Sequence, residues 1–222
     1  METLFEEKKP MHRIVWGRPT SSNVMKVLWL LDELALPFER IDVGGSFGKT
    51  DTPDYRNMNP TGLVPTLQED DFALWESNAI LRYLGQAHAS AIKLWPADFH
   101  ARANIDRWMD AQQTVLNRPM SQVFWGLVRT PADKRDLVAV AAAIEETTRA
   151  WRMIDANLAG QPYIAGGEFT LCDISWGVHA HRWFNMDYLG LTRPEMPALR
   201  AWYDRLCHRP AFQQAVVATP IV

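Results

Sequence analysis

Cysteine is almost missing from these 222 residues, with Cys172 and Cys207 the only two. They match no metal-ligand spacing and suit a reducing compartment with free thiols, which excludes a disulfide-built fold and a cysteine-bound metal centre. Long apolar runs are also lacking: nothing approaches the roughly 20 residues of a membrane-spanning helix. The opening METLFEEKKP has no apolar core of a signal peptide. The expectation is a cytoplasmic chain with no membrane partner. There is no basic surplus either. Twenty-three Lys and Arg against 26 Asp and Glu leave a formal charge of -3, so the chain is not equipped to collect nucleic-acid phosphates. Repeats and low-complexity tracts are absent. What is present is an apolar fraction of 47% with ten tryptophans, enough for a packed core and for aromatic walls around an apolar ligand.

Taken in order, residues 1–10 are polar, continue no periodic pattern and read as a flexible extension. Residues 12–16 (HRIVW) have strand chemistry and end at Gly17-Arg18-Pro19. Thr20, Ser21 or Ser22 can then cap a helix on which Val24, Val27, Leu28, Leu31 and Leu34 share a face. Residues 38–43 (FERIDV) alternate as a second strand, which gives a right-handed βαβ unit and a parallel pair. Residues 44–57 read as a polar loop. Two more strands follow at 63–67 and 72–75, joined by the acidic tip Glu69-Asp70-Asp71, and Glu76-Ser77-Asn78 opens a helix carrying Ile80, Leu81 and Leu84. Pro65 restricts its strand to an edge or a start, and makes Val64-Pro65 a candidate cis peptide that would turn the backbone groups of Val64 outward. From residue 98 onward the period is helical throughout. Helices are expected at 137–158, 172–184 and 196–209, and Thr170 and Asp173 stand in capping-box relation ahead of Ile174 and Val178.

The run NPTGLVPTL followed by FALWESNAILRYL resembles the glutathione-binding half of the cytosolic glutathione S-transferases. That resemblance implies an α/β thioredoxin-like N-terminal domain over 11–90, a linker over 91–97 and an all-α C-terminal helical domain over 98–222. It also implies glutathione as co-substrate, no metal, a cytoplasmic homodimer, and conjugation of the activated thiol to small apolar electrophiles. Dehalogenation, peroxide reduction or isomerisation by the same thiolate, or a non-catalytic binding or assembly module, are the alternatives.

Within the family the chain is most similar to the serine-using theta, delta and phi members. Their serine precedes the helix valine by six positions, which points to Ser21, with Ser22 and Asn23 adjacent and still open. A hydroxyl and a helix N-terminus beside the sulfur both favour thiolate over thiol. The resemblance gives Val64, beside Pro65, the cysteinyl backbone of the tripeptide. Glu76 and Ser77 receive its γ-glutamyl end, and Lys49, or the neighbouring Thr50, its glycyl carboxylate. Trp16 stands where other members carry a tyrosine, and both cysteines lie in the helical half, so the tyrosine and cysteine modes are disfavoured. Trp108, Met109, Gln112, Trp176, His179 and Trp183 are candidates either for a second-substrate wall or for core. His179 and His181 read as packing histidines.

Overall fold

The computed structural model describes residues 12–222; the extension expected over 1–10 lies outside them. Strand β1 (Arg13–Trp16) leads into helix α1 (Ser22–Glu33), which returns to β2 (Glu39–Ile41). A short helix, α2 (Pro53–Met58), precedes the hairpin β3 (Thr66–Glu69) and β4 (Phe72–Trp75), and helix α3 (Ser77–Ala87) closes the unit. The four strands run in the order β2-β1-β3-β4. β1 and β2 are parallel with Val15 opposite Arg40, as the crossover requires, and β3 runs antiparallel to both neighbours with Leu67 opposite Val15.

Two boundaries differ from the sequence reading. The polar stretch 44–57 contains α2, because Thr52 caps it and Pro53 occupies the first turn, where no N–H is needed. Its composition hid it, since only Tyr55 is buried there. Strand β3 begins at Thr66 and not at residue 63. Leu63 is exposed, and its carbonyl is taken by the Tyr55 hydroxyl at 2.6 Å and by Asn59 Nδ2 at 2.8 Å, so the chain before Pro65 belongs to a loop.

The rest of the chain is helical. α4 (Phe99–Ala111) continues through a π-type turn into α5 (Asn117–Phe124) and a second wide turn ending at Arg129. Then come α6 (Leu137–Leu158), α7 (Leu171–Asn185) and α8 (Pro197–Cys207). Every residue of α1 from Val24 to Leu31 is buried, which an amphipathic surface helix would not show. One side covers the sheet, where Val15 and Leu67 are fully buried, and the other packs on α7. Gly177 of α7 makes that approach close: a β-carbon there would lie 2.8 Å from the Trp29 ring. Arg209 clamps the same contact with two 2.7 Å bonds to the Glu33 carboxylate while lying 3.6 Å over the Phe169 ring.

At the start of α7 the fully buried Asp173 accepts from Thr170 N at 2.8 Å, Trp202 Nε1 at 2.9 Å, Ile164 N at 3.0 Å and Thr170 Oγ1 at 3.1 Å. The carboxylate thus ties the helix start to α8 and to the loop before it. Asp173→Ala leaves these buried donors unmet, and urea unfolding is expected to show a loss of about 3–5 kcal/mol.

Candidate active site

Backbone pairing continues past β1, with Gly17 N bonded to Ile41 O at 2.9 Å and Arg18 N to Val43 O at 3.0 Å. The loop that follows is therefore held in place up to Ser21. Gly17 has no room for a side chain, since a β-carbon would come within 2.4 Å of Val24 and 3.3 Å of Val64; its absence lets α1, β1 and the loop before Pro65 converge. Ser21 is the N-cap of α1 in extended conformation, yet its hydroxyl caps nothing. Among the described residues that hydroxyl has no partner, and the serine faces two cavities at once.

The first cavity, about 380 Å³, is lined by Ser21, Asn23, Thr50, Gly62, Leu63 and Val64. The Val64–Pro65 peptide is cis. Among the described residues the main-chain N–H and C=O of Val64 are unpaired, as an edge able to receive an extended peptide requires. The second cavity, about 330 Å³, lies between Ser21 and Ser22 on one side and Phe47, Phe124, Trp125 and Arg182 on the other. A larger space of about 500 Å³ opens near Ile92, Asn104 and Gly166, where Lys93 and Glu168 are the only charged lining residues. Among the described residues it has no helix N-terminus joined to a free hydroxyl, so the pair of cavities at Ser21 is the candidate site.

The structure brings Ser21, Ser22, Asn23 and Val64 to these walls, with Pro65 buried behind Val64. Ser77 is buried and donates to Asn23 Oδ1 at 3.3 Å. Glu76 is exposed at the start of α3 with φ +71°, a left-handed conformation that costs a residue with a β-carbon about 1 kcal/mol or more. Lys49 is exposed and off the walls, and its neighbour Thr50 lines the first cavity. Met109, Trp176, His179 and Trp183 are core, each at most 1% exposed. Trp108 packs edge-on against Trp176, and the buried His181 pairs with the Tyr203 hydroxyl at 2.9 Å. Sequence reasoning missed Arg18, Ser121, Phe124, Trp125, Arg129 and Arg182, which line the second cavity, with Arg18, Ser121 and Trp125 lining the first as well. They come from three separated stretches, and no spacing announces that they meet.

Residues 11–86 match the family described as Glutathione S-transferase, N-terminal domain, and residues 138–205 match Glutathione S-transferase, C-terminal domain. Glutathione S-transferase GstB of Escherichia coli K12 is 40% identical over 205 residues, covering 91% of this chain and 97% of its own. The chain belongs to the glutathione S-transferase family. The transferase is also similar to a solved theta-class glutathione S-transferase from Xanthomonas axonopodis pv. citri with glutathione bound. That match has 44% identity and a TM-score of 0.90, and covers 96% of this chain and all of that one. Glutathione S-transferase 3 of Zea mays is 31% identical over 93% of this transferase and 94% of its own length.

Behind the first cavity of the transferase runs a buried polar chain. Asn23 Oδ1, which receives Ser77, also accepts from Lys26 Nζ at 3.1 Å, and Lys26 donates again to Gln112 Oε1 at 2.7 Å. Gln112 Nε2 reaches His179 Nε2 at 3.1 Å, and Asn78 Nδ2 donates to Gln112 Oε1 at 3.3 Å. Burial pushes the Lys26 ammonium down to about 7; the Glu76 charge opposes that shift and Arg182 adds to it. Burial, with Lys26 and Arg182 nearby, holds His179 well below its ordinary range, so it is neutral. In the unfolded chain Lys26 titrates near its ordinary value of about 10.4. Between about pH 7 and 10 the unfolded state therefore binds more protons than the folded one, and stability rises with pH across that window. In Lys26→Met this contribution disappears, so the thermal midpoint, followed by calorimetry from pH 6.5 to 9.5, is expected to climb less than in wild type.

Proposed function

We propose that this transferase binds glutathione in the first cavity and presents its sulfur to an electrophile in the second, with Ser21 at the junction as hydrogen-bond donor to the thiolate. The observation that carries this reading is the Ser21 hydroxyl: unbonded among the described residues, at the N-terminus of α1, on the wall of both cavities. A hydroxyl donor and the positive end of a helix each stabilise the ionised sulfur more than the neutral thiol. The thiol proton passes to solvent, and the thiolate electron pair forms the new bond to carbon as the leaving group departs.

In the same reading, the cysteinyl unit pairs with the unpaired main-chain groups of Val64, beside Pro65. Ser77 and the N-terminus of α3 take the γ-glutamyl carboxylate, Glu76 faces its ammonium, and Ser22 and Asn23 flank the sulfur. Thr50 is the better placed partner for the glycyl end, with Lys49 beside it in the loop. Burial raises the Cys172 thiol well above its ordinary range and also raises that of Cys207, and neither lines the two cavities. Exchange through a protein cysteine therefore has no support here.

The proposed units are a thioredoxin-like domain over 11–90 and a helical domain over 98–222, joined through 91–97, in a cytoplasmic homodimer. Sedimentation is then expected to give twice the 25.4 kDa chain mass. For Ser21→Ala, turnover with a standard aryl halide is expected to fall roughly 100-fold, by analogy with losing one donor to a developing anion. The KM for glutathione should stay within about twofold, because the lost bond forms only with the ionised sulfur. Unchanged turnover would move the role to Ser22 or Asn23.

A further inference from the structure

The second cavity is not the neutral apolar slot that a site for hydrophobic electrophiles would call for. Arg18, Arg129 and Arg182 all line it, and among the described residues no carboxylate forms an ion pair with any of them. Val222 also touches the wall without pairing to them. Unpaired like charges gathered beside a partly buried space are costly, and proteins keep them where an anion is to be received.

Arg182 and Arg18 are held by their surroundings, and Arg129 reaches the cavity from an exposed position. Arg182 is 8% exposed, lies 4.0 Å over the Phe124 ring and donates to Thr20 O at 2.7 Å, next to Ser21. Arg129 approaches the same ring at 5.6 Å. Arg18 lies against Gly45, where the backbone is left-handed at φ +61° and a β-carbon would come within 3.1 Å of Arg18 Cδ and Nε. Burial lowers the Arg182 guanidinium to about 10, and the charges of Arg129 and Arg18 add to the effect. Burial and Arg129 likewise lower Arg18. The three therefore feel one another across the cavity.

Glutathione's two carboxylates do not account for this cluster. In the binding mode proposed above, one lies at Ser77, which lines neither cavity, and the other near Thr50 on the first cavity, whose wall Arg18 shares. Arg129 and Arg182 line only the second. We infer that Arg18, Arg129 and Arg182 form an anion subsite for the second substrate, so that this transferase prefers electrophiles bearing a carboxylate or a similar oxyanion, with Phe124 and Trp125 against their apolar part. This rests on the transferase reading and adds the charge of the substrate to it.

A matched pair of aryl chlorides tests the inference: 4-chloro-3-nitrobenzoate and its uncharged amide, of nearly equal shape. With either, the thiolate pair forms the C–S bond at the chlorine-bearing carbon and the C–Cl pair leaves with chloride, while the carboxylate or amide is unchanged. The ratio of kcat/KM for acid over amide, divided by the same ratio for glutathione alone in buffer, isolates the contribution of the protein. It is expected to exceed unity by roughly tenfold, and to fall roughly fivefold to tenfold in Arg129→Met, with the KM for glutathione unchanged. Arg129 suits the test because it is exposed and its guanidinium makes no hydrogen bond among the described residues.

Efficient turnover of the amide with no preference for the acid would overturn the subsite and leave the transferase standing. A Met variant that raises the KM for glutathione equally with both electrophiles, at constant ratio, would reassign the arginines to the tripeptide and also overturn it. If neither electrophile is conjugated and calorimetry shows no glutathione binding, the transferase reading itself fails and the subsite falls with it.

Discussion

Helix α1 is enclosed on both sides, by the sheet through Val15 and Leu67 and by α7 through Trp29 and Gly177. A continuous buried run from Val24 to Leu31 leaves it no freedom to slide or tilt without opening a packed interior, where cavities cost about 24 cal/mol per Å³. The position of its first turn is therefore set by the whole molecule. Ser21, Ser22 and Asn23 inherit that precision, and so does the free hydroxyl between the two cavities. The Arg209–Glu33 clamp and the Asp173 hub serve the same end from the helical side, by fixing the elements against which α1 leans.

Features governed by local grammar were legible in the sequence. The serines after Gly17-Arg18-Pro19 announced a helix start, the proline after Val64 announced an edge or a strand start with a candidate cis peptide, and the period-2 and helical runs gave the order of elements and the parallel pair. Helix α2 escaped because it buries one tyrosine and is otherwise polar, so its cap and first-turn proline carried a signal that the apolar pattern did not. Lys26 escaped for a different reason. A lysine within an apolar helix is expected to reach water with its charged end, and only the packing of a second layer over α1 shows that it is fully buried. The arginines of the second cavity were invisible because they sit at a loop, at the end of a wide helical turn and in the last turn of α7. Only the fold makes them neighbours.

The electrostatics of the site divide along the same line. Behind the first cavity, hydrogen bonds link polar groups from Ser77 to His179, although Asn78 Oδ1 and His179 Nδ1 find no partner among the described residues, and one ammonium is brought close to neutrality by burial. Around the second, the arginines form no ion pair among the described residues, so the field at Ser21 is positive from them as well as from the end of α1. In the proposed binding mode, both contributions lower the cost of an anionic sulfur at their meeting point.

Part of the far wall of the second cavity, unlike the buried Phe124 and Arg182, has a different mechanical status from the wall that holds Ser21. Phe47 and Trp125 are 47% and 60% exposed, one on a short turn after β2 and the other where the helix after α5 widens. Their exchange for other residues would disturb little of the interior, whereas a change at the start of α1 would be transmitted to both layers. Selectivity toward new reactants can thus drift during evolution on the rim while the proposed sulfur site at the start of α1 stays fixed, and a single scaffold can diversify its chemistry without being rebuilt.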